Sequence, residues 1–195
     1  RFYLKTSSVT APTMATIRKE FLSVNLFIAP GYDLEINGDA TNIAEFQQKK
    51  SISGMGAEVN RYLFIADSLE WLAAAKDTVG WSALPLGGIL AYANNYGRQR
   101  DSLHAVIFNK NNKSDKWAGQ FAKISAMDTR FLRMYYLVFG VMQDSALSYQ
   151  QSLSFINKHV DINILNNLFD NRNLISENYQ GWLMGTYPAY LRALE

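Results

Sequence analysis

Ile-Ala-Pro-Gly-Tyr-Asp-Leu-Glu-Ile-Asn-Gly-Asp-Ala (residues 28–40) and Ser-Ile-Ser-Gly-Met-Gly-Ala-Glu-Val-Asn-Arg-Tyr-Leu (residues 51–63) decide how this chain is read. Tyr32, Leu34 and Ile36 alternate with Asp33, Glu35 and Asn37, the period-two pattern of a half-buried strand. Pro30-Gly31 before it predicts a tight reversal, because Pro presets one turn position and Gly tolerates a positive φ at the next. Antiparallel pairing across that turn is expected. After Gly56 the period changes. Val59, Tyr62, Leu63, Ala66, Leu69 and Ala73 recur every three or four residues, so a helix with one apolar stripe begins there.

The same strand pattern extends toward the N-terminus. Phe2 and Leu4 alternate with Tyr3 and Lys5, and Ile17, Lys19 and Phe21 with Thr16, Arg18 and Glu20. Val24, Leu26 and Ile28 share one face, and Asn25, Phe27 and Ala29 the other. With a short strand at Ile52, four or five antiparallel strands result, forming a small sheet or a sandwich. The remainder reads as helices. Thr78-Val79-Gly80 breaks the first, and a second is expected over about 89–109. Asn109 to Lys113 is a polar loop. Ser114 is placed to cap the next helix, with Asp115 in its first turn. In that helix Trp117, Phe121, Ile124, Phe131, Tyr135, Val138 and Met142 form a seam. Asp128 falls on the seam, either as a buried acid or, by preference, as the cap of a new segment starting at Thr129. A helix is expected over 145–157, a turn over 166–173, a Ser176 cap, and a last helix with Pro188 in its first turn. The predicted class is α+β, with a β-rich domain over 1–53 and a helical domain over 54–195.

Composition narrows the function. The chain has 195 residues, 48% of them hydrophobic, with a formal charge of +2. A chain of this size buries about two-thirds to three-quarters of its unfolded surface, so a true core is expected. No Lys/Arg run suits phosphate contacts, and no nucleic-acid partner is expected. The longest apolar run, near Phe131 to Met142, is interrupted by Arg133 and falls short of the about 20 residues a membrane span needs. There is no cysteine, which removes thiolate nucleophiles, disulfides and cysteine metal sites together. The first residue is Arg and no signal peptide is visible, so a processed product or an excised piece is expected.

The motifs that could carry chemistry are incomplete. Gly54-Met55-Gly56 lacks a third glycine, since Val59 takes its place, and lacks a βαβ context; a bend from sheet to helix is expected instead. Gly80-Trp81-Ser82-Ala83-Leu84 starts like a nucleophile elbow, but Leu84 stands where the second glycine belongs. The two histidines, His104 and His159, match no metal-ligand spacing. A helical position for His104 and a helix-end position for His159 fit better, the latter favoured by the carbonyl dipoles. No catalytic residue, cofactor site or metal site is expected. Among the many aromatic residues (Trp71, Trp81, Tyr92, Tyr96 and Tyr190 included) most belong to the core. Tyr179, Trp182 and Tyr187 are the candidate interface, because Tyr and Trp combine an apolar body with a polar tip.

The opening segments also carry a family resemblance. Leu26, Ile28, Pro30, Gly31, Leu34, Ile36, Gly38, Asp39 and Ala40, followed by Ile52, Ser53, Gly54, Gly56, Ala57, Glu58, Asn60, Tyr62 and Leu63, resemble the region upstream of the thioredoxin fold in exported TlpA-like thiol-disulfide oxidoreductases of Bacteroidetes (AhpC/TSA or redoxin family). Ile175, Ser176, Tyr179, Trp182 and Leu183 are similar to the pattern closing that family's helical spacer. Tyr32 departs from it, standing where the family has Asp directly after Pro-Gly. The thioredoxin domain and its Cys-x-x-Cys are missing, so the family's thiol chemistry cannot be assigned to any residue here. The resemblance implies a non-catalytic region that orients the C-terminal thioredoxin domain of a parent protein, forms a homodimer, or recognises partner proteins. It implies a periplasmic or exported location, with membrane anchoring in the parent. The alternative is a stand-alone exported module that binds a small ligand or a glycan.

Overall fold

A computed structural model describes residues 9–20, 22–39, 41–77, 79–108, 115–160, 164 and 176–192. The fold is α+β, with two small antiparallel sheets within residues 13–55 and a largely helical remainder. The strands are β1 (Thr13–Lys19), β2 (Leu22–Ile28), β3 (Asp33–Asn37) and β4 (Ser51–Met55). The helices are α1 (Ile43–Lys49), α2 (Ala57–Lys76), α3 (Leu86–Phe108), α4 (Lys116–Gln143), α5 (Tyr149–His159), α6 (Glu177–Gly181) and α7 (Tyr187–Arg192). A π-helical turn, Trp182–Thr186, joins the last two. The expected strand at 2–5, the loop at 109–113, the Ser114 cap and the turn at 166–173 lie outside the described residues.

The pairing differs from expectation. β1 pairs with β2 and β3 with β4, so the Pro30-Gly31 reversal does not join two paired strands. The reason is a side chain. Asn60 of α2 accepts from the Phe27 N–H at 2.7 Å and donates to the Phe27 carbonyl at 2.8 Å. It thereby occupies the Phe27 backbone groups on the edge of β2 away from β1. The β1–β2 hairpin turns at Glu20, whose φ of 52° is left-handed, with Lys19 opposite Leu22. A two-residue hairpin loop demands that conformation. Alternation alone hides it, and residues 16–21 read as one uninterrupted strand.

α1 is a second correction, since no element is expected over residues 41–50. Asn42 caps it by accepting from the Ala44 and Glu45 N–H groups. The third concerns Asp128. α4 runs unbroken from Lys116 to Gln143, so Asp128 caps no new segment. Asp115 accepts from the Trp117 and Ala118 N–H groups at the start of α4. The burial on α4 is also wider than one seam: Ser125, Thr129, Leu132 and Leu137 are buried as well. Thr129 keeps its hydroxyl satisfied by donating to the Ser125 carbonyl.

Compactness groups the chain into two units, Arg1–Ala74 with Ala105–Ala122, and Ala75–His104 with Lys123–Glu195. In the first unit Leu22, Val24 and Leu26 of β2 share a core with Phe46, Ile52, Ala57 and Phe64, and Leu34 and Ile36 pack against it. The opposite face of β2 presents Phe27, fully buried, to Phe121 at 4.9 Å between ring centres. In the second unit Ile89, Phe131, Leu137, Val138, Val141 and Ile156 form the core with Tyr179 and Trp182.

Candidate functional site

The Gly54–Asn60 stretch is spent on architecture. Gly54 has φ of 98°, and a Cβ there would overlap the Asp33 carbonyl across the β3–β4 ladder. Gly56 has φ of 89°, and a Cβ there would overlap the Tyr32 ring. Both positions therefore require glycine. Asn60 is fully buried, and its Nδ2 reaches the Gly56 carbonyl at 3.0 Å as well as Phe27. Tyr32 donates its hydroxyl to Asp115 at 2.8 Å. Burial first, then the Asp115 carboxylate, hold its phenol well above its ordinary pKa. Trp117 Nε1–H donates to the Pro30 carbonyl at 3.2 Å. The Pro-Gly turn is thus tied to the start of α4.

The C-terminal pattern is similarly occupied. The Ser176 hydroxyl donates to Asp128 Oδ1 and accepts from the Tyr179 N–H, while Asn178 Nδ2 donates to Asp128 Oδ2 at 2.7 Å. This pins α6 to α4. Tyr179 and Trp182 are 2% and 1% exposed, with ring centres 4.8 and 5.9 Å from Phe131. These two rings have almost no surface to offer a partner and serve the core. Tyr187 stacks on Trp182 at 5.0 Å and keeps part of its surface.

The remaining chemical candidates are dispersed. His104 lies within α3, and His159 ends α5 with its ring against Phe155, as expected for a helix-end histidine. Ser82 sits in a 3-10 turn, Trp81–Ala83, and not between a strand and a helix. Among the described residues no three His, Asp or Glu side chains gather as metal ligands, and no helix is long and apolar enough to cross a membrane.

Two features have surface and chemistry together. The first is an aromatic group in the second unit. Trp81 stacks on Tyr92 at 5.9 Å and meets Tyr136 edge-on at 4.8 Å. Tyr135 and Phe139 lie at 6.1 and 5.9 Å. Trp81, Tyr92, Tyr135 and Tyr136 are half-buried and Phe139 is exposed. The second is a groove of about 600 Å3 in the first unit, bordered by α1, the start of β4 and one face of α2. Lys50, the C-cap of α1, lies along it with its side chain 1% exposed. Its ammonium donates to Gln47 Oε1 at 2.7 Å, pairs with Asp67 at 3.5 Å, and sits 5.8 and 5.2 Å from the Phe46 and Phe64 ring centres. Burial lowers its pKa, and Asp67 and Glu70 offset part of that. Periodicity places Phe64 on a helix but gives no sign that Lys50 is buried beneath it. The groove was missed because its walls are 47–52 and 61–72, and α1 itself was not expected.

No protein-family model matches the chain, and no curated protein or solved structure matches it either.

Proposed function

We propose that this chain is a non-catalytic accessory region of an exported thiol-disulfide oxidoreductase of the TlpA-like kind it resembles. Its work is to orient a C-terminal thioredoxin domain or to mediate dimer or partner contacts in the periplasm. One observation carries this reading. The residues that bear the resemblance, Gly54, Gly56 and Asn60 at one end and Ser176, Tyr179 and Trp182 at the other, are engaged in holding elements together. With no cysteine in the chain, the thiol chemistry of such an enzyme would reside in another domain. The test is an insulin-reduction assay on the chain alone and on the chain joined to whatever its own reading frame encodes beyond Glu195. The chain alone is expected to match buffer, and the longer product to reduce insulin through a Cys-x-x-Cys. A longer product without that motif, or activity in the chain alone, overturns the reading.

The half-exposed aromatic group around Trp81 favours a second reading, a module that binds a small ligand or glycan on ring faces. Quenching of tryptophan fluorescence by oligosaccharides, lost in Trp81→Ala, would support it over the first.

A further inference from the structure

Residues 177–192 form one helical run with a wide turn inside it. α6 and α7 are α-helical, and Trp182–Thr186 between them is π-helical. There the Tyr187 N–H donates to the Trp182 carbonyl, five residues back rather than four. Such a turn holds one residue more than an α-turn, and single π-turns inside α-helices often mark functional positions. Pro188 gives this one a physical cause. Inside an α-helix a proline lacks the N–H, and its ring clashes with the carbonyl four residues back, here that of Met184. A wider turn just ahead of Pro188 relieves the clash. The π geometry has its own cost. Trp182 is 1% exposed, yet its Nε1–H meets no acceptor among the described residues, and buried N–H groups are normally paired.

The turn decides what the end of the run presents. In π geometry Tyr187 stacks on Trp182 at 5.0 Å, and Met184 and Leu191 stand 76% and 42% exposed. In α geometry Thr186, not Tyr187, would stand one turn above Trp182. Tyr187 would leave the indole, and α7 would rotate by about 100°, the step of one residue. We propose that Trp182–Thr186 is a two-register switch, in which the π register interconverts with an α register. The clash of Pro188 in α geometry opposes the lost ladder bond and the unmet indole N–H of π geometry, so the minor register is populated at a measurable level. The rotational setting of α7 is thereby coupled to the packing of Trp182 in the core of the second unit. A contact that favours one setting of α7 shifts the core, and a change in the core shifts α7. The switch belongs to this chain alone and does not depend on the accessory role.

The test is relaxation-dispersion NMR on the full chain, which reads microsecond-to-millisecond exchange. Wild type is expected to show exchange in the amides of residues 183–192 and in the Trp182 indole N–H, that signal being assigned by its loss in Trp182→Phe. A nuclear Overhauser contact between the Trp182 and Tyr187 rings should mark the major, π register. Pro188→Ala restores an N–H and removes the clashing ring, so the α register should take over. Exchange then falls silent and the Trp182–Tyr187 contact drops about tenfold, as major and minor states trade places. Deletion of Gly185, an exposed residue with open space around it, removes the extra residue of the turn instead. It should also silence the exchange but keep the ring contact, because Tyr187 then follows Trp182 by four residues. The two variants thus share the loss of exchange and differ in the contact. A wild type without exchange in residues 183–192, or a ring contact that survives Pro188→Ala at full strength, overturns the proposal. If Pro188→Ala fails to fold, the Gly185 deletion decides: exchange lost with the contact kept supports the switch, and exchange that persists overturns it.

Discussion

In the first unit a small apolar core is joined by buried polar groups and left-handed glycines at a few positions; in the second a larger core of rings and aliphatic chains predominates, with one polar clamp at Asp128. Asn60 stands in for a missing strand beside Phe27, Gly54 and Gly56 take left-handed angles, and Lys50 is buried between two phenyl rings. In the second unit Phe131 meets both Tyr179 and Trp182, with Ile89, Val141 and Ile156 fully buried around them. The difference teaches where each unit is vulnerable. A polar clamp fails when one atom changes. An apolar core fails in proportion to the volume removed.

The largest expected effect tests the second unit. Trp182→Ala removes a fully buried ring and should cost about 3–5 kcal/mol in chemical denaturation. Hydrogen exchange should locate the loss in α4, α5 and α6. If the variant stays as stable as wild type and loses only binding to a redox domain, Trp182 belongs to an interface after all and the contrast collapses. Asn60→Ala tests the first unit in the other currency. It removes little volume but leaves the Phe27 N–H and carbonyl buried without their partner, for about 2–3 kcal/mol. Asn60→Asp should be no better, since a carboxylate can accept from Phe27 N–H but cannot donate to its carbonyl. An Asn60→Ala cost below about 1 kcal/mol would mean that water or a shifted β3 replaces the clamp.

These two positions also show what could be read from the chain before its structure. The α2 stripe, the Ser176 cap and the alternation of β2 are local signals and appear where expected, and the apolar seam of α4 appears too, though without the break expected at Asp128. What could not be read are the pairings between distant residues. Nothing local says that Asn60 reaches Phe27, 33 residues away, or that Ser176 reaches Asp128, 48 away. Without Asn60's role the Pro-Gly turn looked like a hairpin. α1 was different, because its signal was present. Asn42 followed three residues later by Glu45 is a helix-start pattern, but the helix it opens is only seven residues long, too short for a clear helical period. The candidate interface failed to separate from the core for the same reason as Asn60: exposure of Tyr179 and Trp182 depends on where Phe131 comes to lie.

Acid–base behaviour should sharpen the contrast, because Lys50 and Tyr32 both lie in the first unit. The folded-state pKa of Lys50 is lowered from 10.5. As pH rises through that lowered value the folded state releases its proton first, so unfolding binds protons and stability climbs with pH until about 10.5. Tyr32 works the other way. Its folded pKa is raised above 10.0, so its contribution is fully present below pH 10 and is lost as the unfolded phenol ionises above it. Urea titrations at stepwise pH should therefore show a rise below pH 10 that Lys50→Met removes, and a fall above pH 10 that Tyr32→Phe reduces. A rise that survives in Lys50→Met would assign it to another group.

The smallest effect is the most local. Glu20 is a non-glycine residue at φ 52° in the β1–β2 hairpin, a conformation that costs an L-residue about 1–2 kcal/mol. Glycine relieves that strain but adds freedom to the unfolded chain, which takes back part of the gain. Glu20→Gly should therefore stabilise the protein by about 0.5–1 kcal/mol, and Glu20→Asn by somewhat less, with unchanged β1–β2 register in amide exchange. The side chain is exposed, so no packing is lost. If Glu20→Gly instead destabilises, the carboxylate holds something that the strain is kept for. The first unit would then owe one more element to a single polar group, and its contrast with the ring-packed unit would deepen.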